Sequence, residues 1–316
     1  MYKIPILILV YNRPDFLKKL IFILKKIKPI KIYIKGDGPR KYDDKEKCTA
    51  VKKVLKNINW NCKVITNFNK KNMGCRASVS DGINWFFSKE EMGVILEDDC
   101  LPNNSFFKYC EILLKKFYNN KNISVISGSN FQEKIWGNKD YYFSKYNHCW
   151  GWACWRRSWK FYDDKMSFWS QWKKTKKWKL LSKSLIERWY WEKIFNQVLK
   201  KKIDSWAYVW TACVWKNNGL TITPNVNLIE NIGFDKRATH TVNLRKDYKY
   251  RSSKELSWPI KHPKLIKVNN QADSFTFSNH FKGIYYLWPW RLFYIFSIIV
   301  TDPKLFILKI IKLLKK

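Results

Sequence analysis

Glycine and proline are sparse, 11 and 10 in 316 residues, which excludes a fibrous or low-complexity chain. Eight cysteines are present, but no two form a C-x-x-C pair, so a zinc site built from them is not expected. No signal-peptide pattern opens the sequence: Met1-Tyr2-Lys3 leads straight into strand-like residues. The expectation is a reducing compartment with free thiols. No apolar run reaches the roughly 20 residues that a membrane span requires; the run at 292–300 is too short. Acidic residues are also scarce. Asp plus Glu is 25 against 61 Lys plus Arg, giving a formal net charge of +36 at pH 7. That surplus points to an anionic partner or to a genome biased toward Lys, Asn and Ile. The partner would be nucleic acid, or an anionic membrane surface with a phosphorylated substrate.

Apolar residues are plentiful, at 46% with 17% aromatic, ample for a packed core. Residues 4–10, 31–35, 62–66, 94–96, 123–127 and 221–224 read as short strands. Phe16, Leu17, Leu20, Ile21 and Leu24 fall at helical spacing, with Asp15 available as a cap. Segments 44–55, 78–87, 104–118, 185–200 and 206–215 also read as helices, the last ending at Asn217-Asn218-Gly219. Strands alternating with helices through short loops predict a mostly parallel sheet with right-handed crossovers. Periodicity is lost over 246–273, which reads as a linker. From Pro303 a last helix is predicted, with Lys309, Lys312 and Lys316 on one face and Phe306, Ile307, Ile310, Leu313 and Leu314 on the rest. Trp288, Trp290 and Tyr294 precede it, a pattern suited to a membrane interface; packing on the core is the alternative. The expected organisation is a domain at 1–245 and a linker with a membrane-associating helical segment at 246–316.

One stretch concentrates chemistry. Val94-Ile95-Leu96 runs directly into Glu97-Asp98-Asp99. In open α/β sheets, ligands bind at the carboxyl ends of strands. Adjacent carboxylates repel, so three together point to a bound cation, and hard oxygen ligands suit Mg²⁺ or Mn²⁺. A solvated acidic turn is the alternative.

The tract 4–240 resembles glycosyltransferases of the GT-A fold, in particular bacterial surface-polysaccharide glycosyltransferases with the Glu-Asp-Asp motif of the N-acetylglucosaminyltransferase I type. Four features carry the resemblance in order: the strand ending at Arg13; the loop Lys35-Gly36-Asp37-Gly38; Leu96-Glu97-Asp98-Asp99 with Pro102 and Phe106-Phe107; and Gly151-Trp152-Ala153 with Trp155-Arg156-Arg157. The implied fold is a Rossmann-like, mostly parallel sheet flanked by helices, with a C-terminal amphipathic helical extension. Asp99 is implied as the direct metal ligand and His240 as a residue approaching the metal or diphosphate. Glu97 and Asp98 would face the ribose, and Arg13 and Asp37 the base or its ribose. Arg76 and Arg156 are further candidates for contact with phosphate.

In inverting members a Trp-flanked helix supplies a catalytic acid. Here Ala207 stands at that position, and Asp204 is the nearest carboxylate, either base or helix cap. Glu187 and Glu192, on the preceding helix, are alternatives. Trp150, Trp152 and Trp155 offer faces for sugar stacking or belong to the core. The implied activity is metal-dependent transfer of a sugar from a nucleotide-diphosphate sugar to a surface glycan or glycolipid such as lipopolysaccharide or capsule. The expected location is cytoplasmic, peripheral on the inner face of the cytoplasmic membrane, with no nucleic acid partner. A nucleotidyltransferase would carry a glycine-rich loop after its first strand, which Val10-Tyr11-Asn12-Arg13-Pro14 lacks. A sugar-nucleotide or nucleic-acid binding protein without transferase activity, and a membrane-bound scaffold, are the other readings.

Overall fold

A computed structural model describes residues 1–234 and 252–286, with isolated positions 296, 299, 300, 303 and 307. The candidate ligand His240 and most of the predicted C-terminal helix lie outside the described residues. Among the described residues, no helix is long and apolar enough to cross a membrane.

The first half is a strand–helix alternation: β1 (Ile6–Val10), α1 (Pro14–Ile27), β2 (Lys31–Gly36), α2 (Tyr42–Val54), β3 (Lys63–Phe68), α3 (Cys75–Lys89) and β4 (Met92–Glu97). β1 is buried at every position, as suits a central strand covered on both faces. Phe16, Leu17, Leu20, Ile21 and Leu24 are the buried face of α1, as their spacing predicts. Asp15 does not cap that helix. Arg13 occupies the N-cap position and Pro14 the first helical position, which leaves Asp15 in the first turn, facing the positive end of the helix.

The eight-stranded sheet has the order β3-β2-β1-β4-β8-β6-β9-β7, the last four strands being β8 (Trp152–Trp155), β6 (Ile123–Ser127), β9 (Leu220–Pro224) and β7 (Tyr141–Ser144). Strands β1 to β4 are parallel neighbours. The chain leaves β1 toward β2 and β3 on one side, then returns to place β4 on the other. That reversal opens a crevice between the carboxyl ends of β1 and β4.

The second half is α4 (Asn104–Lys116), β6 (Ile123–Ser127), β7 (Tyr141–Ser144), β8 (Trp152–Trp155), α8 (Leu185–Leu199), α9 (Trp206–Lys216) and β9 (Leu220–Pro224), with short helices α5 (Arg156–Trp159), α6 (Trp169–Trp172) and α7 (Lys176–Leu180). β8 enters antiparallel between β4 and β6. The tryptophan-rich tract therefore contains a central strand, and Trp152 and Trp155 are each 1% exposed in the core. α9 ends with Asn218 in the left-handed region and Gly219 N–H bonded to Val214 O at 2.8 Å, so Asn rather than Gly takes the left-handed position. A second, two-stranded sheet pairs β5 (Cys100–Pro102) with β10 (Ile229–Asn231), just beyond the acids.

Residues 252–273, aperiodic in sequence, lie against this domain. Leu256 and Ile260 join the core, and Glu255 accepts from the backbone N–H groups of Asn104 and Ser105 at the start of α4. A short helix, Asn270–Phe275, follows. All eight cysteines are free thiols.

Candidate active site

Three loops meet at the carboxyl edge of the parallel strands. Asp37 N–H donates to Val10 O at 3.1 Å, and Asp98 N–H donates to Leu9 O at 3.1 Å. These bonds gather the ends of β1, β2 and β4 at one point. The β1 loop is pinned to α2, with Tyr11 Oη and Asn12 Nδ2 donating to the two oxygens of Asp44, each at 2.8 Å.

Arg13 crosses the crevice from this loop. Its guanidinium lies 3.0 Å from Asp98 Oδ1 and 2.8 Å from Asp99 Oδ2. It is the one cation paired with the acid cluster among the described residues. Burial opposes its charge, but the charges of Asp98, Asp99 and Glu97 outweigh that and hold it protonated more firmly than usual. Burial also pushes the carboxyl groups of Glu97 and Asp98 well above the usual range; the Asp99 charge adds to both shifts and Arg13 opposes them. Asp98 is 1% exposed. Its contact with Arg13 lacks hydrogen-bond geometry, and neither buried oxygen has a well-formed hydrogen bond; the backbone N–H of Tyr11 is the donor that favours its charged form.

Asp99 lies beneath a short roof. Ile232 N–H donates to Asp99 O at 2.9 Å, and Gly233 N–H to Asn231 Oδ1 at 2.8 Å. A Cβ on Gly233 would fall 2.1 Å from Asp99 Oδ2, so only glycine fits there without displacement. Phe234 continues the roof, packing edge-on to Trp150 at 5.4 Å. Trp150 is therefore the half-buried tryptophan of its tract beside the site. Gly151 next to it has φ +63°, and a Cβ there would meet Ile229 Cδ1 at 2.4 Å.

Asp37 is an organiser of its own loop. Its carboxylate accepts from Gly38 N (2.9 Å), Asn69 Nδ2 (3.0 Å), Met73 N (2.9 Å) and Gly74 N (3.2 Å). That fixes the loop leading into α3 and presents Cys75 to the crevice. Burial raises the Cys75 thiol to about 12, with the charges of Glu97 and Asp204 next in effect, Arg13 opposing and Asp37 adding. These four charged candidates thus act on one sulfur atom. Asp204 is exposed. It does not cap α9: Ser205 does, accepting from Tyr208 N–H at 3.4 Å.

Other candidates have different roles. Arg76, in the first turn of α3, bonds to Asp164 through Nε at 2.8 Å. Arg156 lies at the wrong end: Trp155 pairs with Met92, so Arg156 follows at the start of β4 and donates to Glu90 O. The six-residue strand puts it about 16 Å from the acids. Glu187 is buried against Lys145 (2.8 Å) and Tyr146, and Glu192 pairs with Lys173 at 3.4 Å. Among the described residues, no bond joins either glutamate to residues 97–99. Sequence reading missed Lys35, 2% exposed and bonded to Asp81 (2.5 Å) and Asn69 (2.8 Å). It also missed the closure of Asn231 and Gly233 over Asp99, although Asn-x-Gly is a recognisable Asx-turn signal.

The donor set suits a hard divalent cation. Three clustered carboxylates face one guanidinium, and two of their buried oxygens lack well-formed hydrogen bonds. Among the described residues, no three His, Cys, Asp or Glu side chains converge as a complete metal cage. A cation shared with substrate phosphates needs only one or two carboxylates, and Asp99 and Glu97 are the candidates for that role.

No family model and no curated protein matches the sequence. Solved structures that overlap part of the chain include HddC from Yersinia pseudotuberculosis, at 13% identity over 49% of this chain and 77% of that one, TM-score 0.28. UDP-glucose pyrophosphorylase complexed with UDP-glucose overlaps at 12% identity over 46% and 59%, TM-score 0.27. Mouse xyloside xylosyltransferase 1, apo form, overlaps at 12% identity over 42% and 55%, TM-score 0.26. The chain spans less than two thirds of the latter two. Overlaps this partial leave the functional argument to the chain's own residues.

Proposed function

We propose that the chain is a glycosyltransferase dependent on a divalent cation, moving a sugar from a nucleotide-diphosphate sugar to a hydroxyl of a surface glycan or glycolipid. The observation that carries this reading is the Glu97-Asp98-Asp99 cluster at the crevice between β1 and β4, with Arg13 the one cation paired with it among the described residues. The resemblance in sequence supplies the reaction class.

Asp99, with Glu97 beside it, would hold Mn²⁺ or Mg²⁺. The bound ion would neutralise charge on the diphosphate leaving group. Arg13 keeps Asp98 and Asp99 in place and limits their mutual repulsion. Asp37 shapes the loop before α3, against which the nucleoside would lie. Trp150 and Phe234 wall the crevice with apolar rings and restrict water. Asp204 takes the proton of the acceptor hydroxyl as its oxygen bonds to the anomeric carbon. The bond from that carbon to the diphosphate breaks, and the nucleoside diphosphate leaves. The exposure of Asp204 gives an acceptor direct access to it. His240 remains a proposed further contact.

A panel of nucleotide sugars tested with and without Mn²⁺ examines the proposal. Binding should raise the melting temperature with ligand concentration, and release of nucleoside diphosphate should need the metal. Asp99→Ala should cost a thousandfold or more in rate, about 4 kcal/mol of transition-state stabilisation, with the fold retained. Turnover within tenfold of wild type in that variant, or full activity in excess chelator, overturns the metal role. Donor binding without any transfer product would favour a nucleotide-sugar binding protein.

A further inference from the structure

A cationic face tipped with apolar side chains lies on the helices that follow β8. Leu180 ends α7 and Leu185 begins α8, each 72% exposed, and Trp189 is 52% exposed one turn further along α8. Leu185 and Trp189 share a face by their spacing of four. Lys176, Lys177 and Lys179 surround Leu180 and are exposed. From 173 to 202 the chain has eleven basic residues and two acids. Both acids are in ion pairs, Glu187 with Lys145 and Glu192 with Lys173. The positive charge is therefore uncompensated on this face. The inner side of the same helices is firmly anchored, since Trp178 packs edge-on to Trp169 at 4.9 Å and Trp191 and Phe195 are buried.

We infer that this face docks on an anionic lipid bilayer, with Leu180, Leu185 and Trp189 entering the headgroup boundary and the lysines facing lipid phosphates. Large apolar residues grouped on a solvated surface mark an interaction site, and the end of α7 is joined to α8 by Arg188 Nη1, which donates to Lys179 O at 3.0 Å. Leucine and tryptophan ringed by lysine is the pattern that partitions into a bilayer interface. Charge complementarity selects an anionic surface. The chain's course agrees: the last long described stretch ends in a 3₁₀ turn, Gly283–Tyr286, which packs against α8. Residues 287–316, which follow in sequence, carry their own lysines and apolar residues. The inference does not rest on the transferase reading, because its readout is membrane partition and not sugar transfer.

Full-length protein should be sedimented with phosphatidylcholine vesicles and with vesicles also containing phosphatidylglycerol. Wild type should bind the anionic vesicles at least tenfold better. Each lysine at such a surface contributes roughly fivefold at low salt, so Lys176→Gln, Lys177→Gln and Lys179→Gln combined should cost at least tenfold. Leu180→Ser with Leu185→Ser should do the same, with melting temperature unchanged within about 2 °C because both side chains are exposed. In wild type, anionic vesicles should shield Lys176, Lys177 and Lys179 from an amine-reactive label read by mass spectrometry, a measurement that needs no variant. Equal labelling with and without vesicles overturns the inference. So does wild-type binding by both variants, which would place attachment elsewhere, or a leucine variant that converts an oligomer to a monomer, which would make this face an interface between copies.

Discussion

Gly233 closes over Asp99, and Asp204 acts by its charge on the same Cys75 thiol as Glu97; each can be tested by the smallest change. Ser205 caps α9, so Asp204 has no capping duty for Asn to inherit. Asp204→Asn should leave stability within about 0.5 kcal/mol of wild type. If the carboxylate takes the acceptor proton, transfer should fall a thousandfold while donor affinity holds, because the loss is confined to the transition state. Normal turnover in that variant removes the base assignment. Gly233→Ala would place a methyl 2.1 Å from Asp99 Oδ2, so the roof or the carboxylate must move. Cation affinity measured by Mn²⁺ titration should drop at least tenfold, a rough expectation for displacing a ligand by an ångström. Unchanged affinity would show either that the roof alone yields or that Asp99 is not a ligand, and Asp99→Ala in the same titration decides between them. The acids were legible in sequence because three carboxylates after a buried run are rare. Gly233 was not, because its role depends on a contact 134 positions away.

Elements were legible where local pattern decides them. Runs such as Ile6–Val10 and Ile123–Ser127 are short, β-branched and fully buried, and they read correctly. β8 did not, because a strand of Trp, Ala, Cys and Trp has no alternation when both faces are buried. The segment at 252–273 was illegible for another reason: it is held by long-range polar contacts and not by periodicity. Glu255 caps α4 from 150 residues away, accepting from Asn104 N–H at 3.1 Å and Ser105 N–H at 2.8 Å. A carboxylate there satisfies two orphan donors and complements the helix dipole. Glu255→Ala should therefore cost about 1 kcal/mol in urea unfolding, the lower part of the capping range because the residue is exposed. No loss would mean that the segment is not held at this helix end in solution.

At the scale of the whole molecule, the parallel half and its crevice follow from strand–helix alternation, while the docking of the chain after the second sheet does not. That docking centres on a buried polar knot. Gln132 Nε2 donates to Ala272 O at 3.0 Å and to Thr276 Oγ1 at 2.6 Å. Asp273, 4% exposed, accepts from Ser144 Oγ at 2.5 Å and Lys145 N–H at 3.1 Å. Burial raises its carboxyl to about 6; Ser144 and Lys145 oppose the rise, and the charge of Glu187 adds to it. The folded state thus binds this proton more tightly than the unfolded chain does. The stability it contributes is fully present below about pH 4 and is lost as pH rises through 6. From 3.8 to about 6 the loss is on the order of 3 kcal/mol. Asp273→Asn carries no titrating group but presents an NH₂ to one of the two donors, a fixed cost at every pH. The difference in unfolding free energy between wild type and Asp273→Asn should therefore shift with pH. Between pH 4 and pH 7, wild type should lose up to about 3 kcal/mol relative to the variant, whatever the fixed offset, with most of the change between pH 4 and 6. A difference that stays flat across that range would show that Asp273 titrates normally and that the knot is open to water.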